Sequence, residues 1–138
     1  METVNYLAVL AATVAAYAVG ALWHSPVGFG AYWMRLMGFT QDSMRTMPLT
    51  AAQAMTVGFV VMLVQAFVLA YLMVLIGIDS ISLALQLGAW VWLGFLAPTL
   101  ANSWLWEGKS LKLFAFNAAY ALVSIEVLAV VLALPLWY

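Results

Sequence analysis

Charge is what this chain has least of. Of its 138 residues, 7% are charged and 68% are hydrophobic. A soluble domain carries roughly 25% charged residues, so this composition cannot clothe a water-facing surface. Four basic residues and a net charge of −1 leave no basic face, which excludes nucleic acid as a partner class. Cysteine is absent, which removes disulfides, iron–sulfur clusters and thiolate metal sites. The single histidine, His24, falls short of the several ligands that a haem or zinc site draws from a chain, so no cofactor is expected.

What is present is hydrocarbon in long runs. Four stretches, about 4–24, 51–77, 81–106 and 111–136, contain almost no ionisable groups. A bilayer core of about 30 Å needs about 20 apolar residues of helix, and each stretch meets that length. The fold class expected is an all-α membrane protein: a single domain of four transmembrane helices filling residues 1–138. The acidic flank Met1-Glu2-Thr3 argues for a retained first helix rather than a cleavable signal. Thr50 and Gln53 form a capping box opening the second span. Gly77 and Gly108 read as helix stops, with Asp79 or Ser80 and then Ser110 capping the helices that follow.

Between the first two spans, Pro26 and Gly28 break the helix. Phe29, Tyr32, Trp33, Leu36 and Met37 then recur at helical spacing, which predicts a short interfacial amphipathic helix over about 27–38, aromatic side toward lipid. Arg35, Arg45, Lys109 and Lys112 all fall in the first and third connections. The positive-inside rule then puts those connections in the cytoplasm and both termini on the opposite side.

Small residues mark the packing faces. Ala8, Ala12, Ala16 and Gly20 form a ladder on the first span, and Ala54, Gly58, Ala66 and Ala70 form one on the second, interrupted by Met62. The fourth span has two small or polar faces. Asn117, Ala121 and Ser124, with Tyr120 beside them, oppose Ala115, Ala119, Glu126 and Ala133. One face meets the bundle. The other needs a partner, because a carboxyl group facing lipid is costly. That second face is the ground for expecting a homo-oligomer or partner membrane subunits.

Glu126, with Gln65 at similar depth, makes up the candidate intramembrane polar site, as proton relay, cation site, substrate counter-charge or structural hydrogen-bonder. Asn102 and Asn117 lie at matching depths either side of the third connection, which predicts a hydrogen-bonded pair. Pro98 frees the carbonyl of Gly94 next to Thr99 and Asn102. Such a kink either lines a crevice or is absorbed by neighbouring helices. Trp90 and Trp92 are placed deep, as core or as contacts to a pigment, lipid or partner, and the other tryptophans as interfacial belts.

Asn5-Tyr6-Leu7-Ala8-Val9, Gly20-Ala21-Leu22-Trp23-His24-Ser25-Pro26, Glu107-Gly108-Lys109-Ser110 and Asn117-Ala118-Ala119-Tyr120 give the chain a family likeness. It resembles a bacterial family of small four-span proteins catalogued as domain of unknown function seventeen-sixty-one. The resemblance implies a four-helix fold in the bacterial inner membrane and carries no activity. Within it the candidate polar cluster on the cytoplasmic side comprises Ser25, Asn102, Glu107, Lys112, Asn117 and Tyr120, with His24 adjoining. Glu126 falls where that family tends to be apolar.

No nucleophile–base pair, metal cluster or phosphate loop can be assembled, so an enzyme is not expected. The leading expectation is a small integral-membrane protein working as a homo-oligomer or accessory subunit, with membrane lipid as its medium and partner. The alternative is a proton-coupled small-molecule or ion transporter using Glu126.

Overall fold

The computed structural model describes residues 3–138. Among the described residues the chain is all helical, and four segments are long and apolar enough to cross a membrane. This is a membrane protein. Asn5 opens α1 (Tyr6–Trp23), its side-chain oxygen accepting from the Ala8 amide at 3.1 Å. The Thr50–Gln53 box opens α4 (Ala51–Ile76) with reciprocal bonds of 3.1 and 3.0 Å, and Gly77, at φ +78°, ends it. Ser80 caps the third span and Ser110 the fourth. These side chains satisfy amides that hydrocarbon would otherwise leave unpaired.

The third span is not one regular helix. It runs as α5 (Ile81–Val91), a π-helical turn (Trp92–Leu96) and α6 (Ala97–Leu105). In an unbroken α-helix the Pro98 ring would collide with the carbonyl of Gly94. The wide turn just before it relieves that collision. The fourth span, α7, ends at Leu132 rather than near residue 136, and Pro135 starts a short 3-10 turn, Pro135–Trp137. Between the first two spans lie α2 (Gly30–Met37) and a short α3 (Gln41–Arg45), the latter opened by a Thr40–Ser43 capping box that the sequence reading did not include.

The central helix is α7, which packs on α1, on α5 and α6, and more lightly on α4. On α1 the ladder Ala8, Ala12, Ala16 and Gly20 is buried throughout. Its bareness allows close approach: a Cβ on Gly20 would meet the Tyr120 hydroxyl. On α4 the buried line is Met62, Ala66, Leu69, Ala70 and Met73, so Met62 belongs to it rather than interrupting it. Ser124 on α7 donates to the Met62 sulfur at 3.7 Å. At the terminal end, Asn5 Nδ2 donates to the Trp137 carbonyl at 3.1 Å, which ties the start of α1 to the end of the chain.

Two placements refine the expectation. Trp90 is 69% exposed, which leaves it the outward contact of its two readings and not the core. It precedes the π turn and faces outward, whereas Trp92 turns inward and donates from Nε1 to the Ala118 carbonyl at 2.8 Å. Nor does α2 simply lie aromatic side toward lipid. Tyr32 and Phe29 pack on Phe116, and Trp33 on His24, with ring centroids 5.8, 6.3 and 5.1 Å apart. The helix folds back on the bundle and closes its basic end, the end carrying Arg35, Arg45, Lys109 and Lys112.

Candidate functional site

Helix α4 rests on α1 and α7, and the α5–α6 span rests on α7, but α4 and that span do not form a packed interface with each other. The result is a cleft open sideways between them, floored by α7. It encloses about 580 Å³, within the roughly 300–1,000 Å³ of ligand pockets. Met62, Phe95, Leu96, Leu100 and Ile125 supply apolar walls, and six polar side chains converge: His24, Gln65, Thr99, Asn117, Tyr120 and Ser124. Phe95, at 72% exposure, marks the open edge. No charged side chain lines the space.

Each polar group arrives for a local reason. Asn117, Tyr120 and Ser124 fall on one side of α7 through the 100° step of the helix. Thr99 follows Pro98 and spends its hydroxyl on the Phe95 carbonyl at 2.6 Å. Such back-bonding is the usual use of a threonine hydroxyl inside a helix. His24 ends α1, with Nδ1 2.9 Å from the Gly20 carbonyl. A carbonyl only accepts, so Nδ1 carries the proton and Nε2 of the neutral ring is left as an acceptor. The ring is held edge-on by Tyr120 at 4.8 Å and Trp33 at 5.1 Å.

Thr99 and Ser124 are therefore already engaged as donors. The amides of Gln65 and Asn117 and His24 Nε2 have no hydrogen-bond partner among the described residues, while the Tyr120 hydroxyl meets that of Ser124. Those three unpartnered groups are available to a ligand, with the Tyr120 hydroxyl beside them. His24 and Tyr120 also line a second cavity of about 540 Å³ between α1, α2 and α4, so their two rings form the wall between the spaces. Beside that wall Trp23 Nε1 is a buried donor without an acceptor.

Sequence reasoning named four of the six polar groups as candidates but paired them differently. Gln65 faces the cleft and does not bond Glu126. Glu126 Oε2 is buried without a hydrogen-bond partner, placed so that a Cβ on Gly88 would lie 2.9 Å from it. Asn102 is exposed on α6 and makes no bond to Asn117, which faces the cleft. Ser25 works as a turn former, its hydroxyl donating to the Leu22 carbonyl at 2.7 Å. Glu107 and Lys112 are exposed at the basic end, away from the cleft. Thr99 and Ser124 were visible as polar neighbours of Pro98 and Asn117; nothing in the sequence joined them to His24.

A family model described as a protein of unknown function, DUF1761, matches residues 7–133, and the chain belongs to that family. No curated protein and no solved structure matches it.

Proposed function

We propose that this member of the DUF1761 family is an intramembrane binding protein rather than an enzyme. It holds an uncharged, partly apolar small molecule in the cleft between α4 and the α5–α6 span, admitted sideways from the bilayer. One observation carries the reading: unpaired polar groups from α1, α4 and α7 converge in a cavity without a charged lining residue. An apolar pocket with a few convergent hydrogen-bonding groups is the usual form of a small-molecule site. The setting that fits is a bacterial inner membrane with the basic end in the cytoplasm.

Native mass spectrometry of the protein in mild detergent is expected to show an uncharged adduct at fixed stoichiometry. Asn117→Leu keeps the side chain's bulk but removes its donor and acceptor. Losing one or two hydrogen bonds at about 1 kcal/mol each lowers occupancy about tenfold. Glu126→Gln should leave the adduct unchanged. Protein that arrives bare, or an Asn117→Leu variant as fully loaded as the parent, rules the binding reading out. This distribution of groups also disfavours transport driven by Glu126, whose carboxyl lies roughly 160° around α7 from Ser124, off the cleft floor.

A second observation supports self-association. Ala115 and Ala119 are exposed on α7, on the same side of the helix as Glu126, whose carboxyl is tucked against Gly88. Small exposed residues let two such helices meet closely. Because the chain has no cysteine, Ala119→Cys gives a clean test. Mild oxidation in vesicles should yield a covalent dimer, whereas Leu75→Cys, 64% exposed on α4, should not. Equal cross-linking of both variants, or of neither, removes the α7 interface.

A further inference from the structure

We infer that the molecule held in the cleft is a single-chain amphiphile with an uncharged hydroxyl head, its head at the basic end and its chain running toward the termini. This rests on the cleft being the binding site. A smaller chamber of about 240 Å³ adjoins the cleft between α4 and α5, with Gln65, Leu96 and Ile125 lining both, and every side chain it adds is aliphatic. Its volume is below the roughly 300–1,000 Å³ of ligand pockets, so it is a slot for a chain and not a site in its own right.

Polarity falls from the first chamber to the second. At 1.5 Å per residue, Asn117 and Thr99 lie about 9 Å from the basic end of their helices, and Ser124 and Gln65 about 20 Å. Leu72, in the second chamber, lies about 30 Å along α4. Hydrogen-bonding groups therefore occupy one end and hydrocarbon the other. No Asp, Glu, Lys or Arg lines either chamber. A phosphate or carboxylate head would enter without a counter-charge to offset its lost hydration. His24 Nε2 needs a donor, while Asn117 and Tyr120 both give and accept. A hydroxyl meets all three, whereas a lone carbonyl leaves Nε2 unmet.

The test uses the full chain in phosphatidylcholine nanodiscs with two photoreactive monoacylglycerols, a diazirine at the chain end of one and beside the glycerol of the other. The chain-end probe should label residues 64–72 of α4 or Val91, and the head probe the surroundings of His24 and Asn117. Unlabelled monooleoylglycerol should compete at least tenfold better than oleate. Leu72→Phe, which narrows the second chamber, should weaken capture of the eighteen-carbon probe about tenfold and leave an eight-carbon probe unchanged. Saturable labelling with the two ends reversed, or oleate competing equally, overturns the head and chain assignment while the cleft remains a binding site. Labelling that never saturates means annular lipid only and overturns both.

Discussion

Gly30→Ala is expected to lift α2 off the bundle. At the start of a helix, replacing glycine by alanine ordinarily stabilises by about 0.5–1 kcal/mol. Here the sign reverses, because the new Cβ would stand 2.5 Å from the His24 carbonyl oxygen and 2.6 Å from that of Ser25. Neither oxygen belongs to a side chain that can swing aside. The Ser25 carbonyl is held by the amides of Gly28 and Gly30 at 3.0 and 2.9 Å, and Phe29 N binds the Trp23 carbonyl at 2.8 Å. Overpacking against fixed atoms costs about 1–3 kcal/mol, which outweighs the propensity gain. Relief comes by opening the turn, which pulls Trp33 from His24 and Tyr32 from Phe116. The variant should show faster amide exchange across residues 25–37, a lower thermal midpoint in detergent, and reduced adduct as the His24 wall loosens. Gly58→Ala is the control of opposite sign. Its Cβ would meet only the Tyr17 ring, at 3.7 Å, an ordinary contact inside a helix, so it should hold or raise the midpoint. Unchanged exchange at the turn in Gly30→Ala would mean that the carbonyls yield after all.

How far the sequence could be read depends on the range of each interaction. Capping is local, linking a residue to one three positions on. The Thr50–Gln53 box, Gly77, Ser80 and Ser110 were therefore visible as written and stand where expected. The Thr40–Ser43 box is harder to see in the sequence because serine replaces the usual Glu or Gln at its far end. The end of α7 is not legible from hydropathy, which continues past it. What stops the helix is Pro135, which keeps Leu134 extended at ψ 135°.

The site shows the same limit. Depth in a bilayer can be counted from the ends of a span at 1.5 Å per residue, and by depth Gln65 matches Glu126 and Asn102 matches Asn117. Bearing around the helix axis cannot be counted that way. It depends on how each helix is rotated against its neighbours, and on the wide turn at Trp92–Leu96, which shifts the phase of everything after it. Gln65 therefore faces the cleft while Glu126 faces Gly88, at similar depths on different sides of α7. The polar face Asn117, Tyr120 and Ser124 was legible because it lies within one uninterrupted helix. Its meeting with His24 was not, because that needed the turn at residues 25–29 and the bare Gly20 that admits Tyr120.

Deleting Gly94 together with Pro98→Ala is expected to leave the protein folded and its cleft largely empty. A π turn is an α-helix with one residue too many, and here the Ala97 amide reaches back five residues to the Trp92 carbonyl. Gly94 is the residue to remove, since a side chain there would touch nothing within 4 Å. Deletion alone restores a regular helix and drives the Pro98 ring into the preceding turn, a penalty of about 3 kcal/mol. Adding Pro98→Ala removes that penalty. The flanking segments then keep their phase, so Trp92 should still donate to the Ala118 carbonyl. What changes is the displaced stretch carrying Phe95 and Leu96, which forms the outer wall of the cleft. The double variant should keep a thermal midpoint close to the parent's, and the single deletion should fall well below it. The adduct seen by native mass spectrometry should drop at least about tenfold, equivalent to about 1.4 kcal/mol of binding. A double variant that binds as well as the parent would show that the wide turn exists to accommodate proline alone. One that fails to fold would show that the two halves of the third span are not in helical phase, and the outer wall of the cleft would then need another explanation.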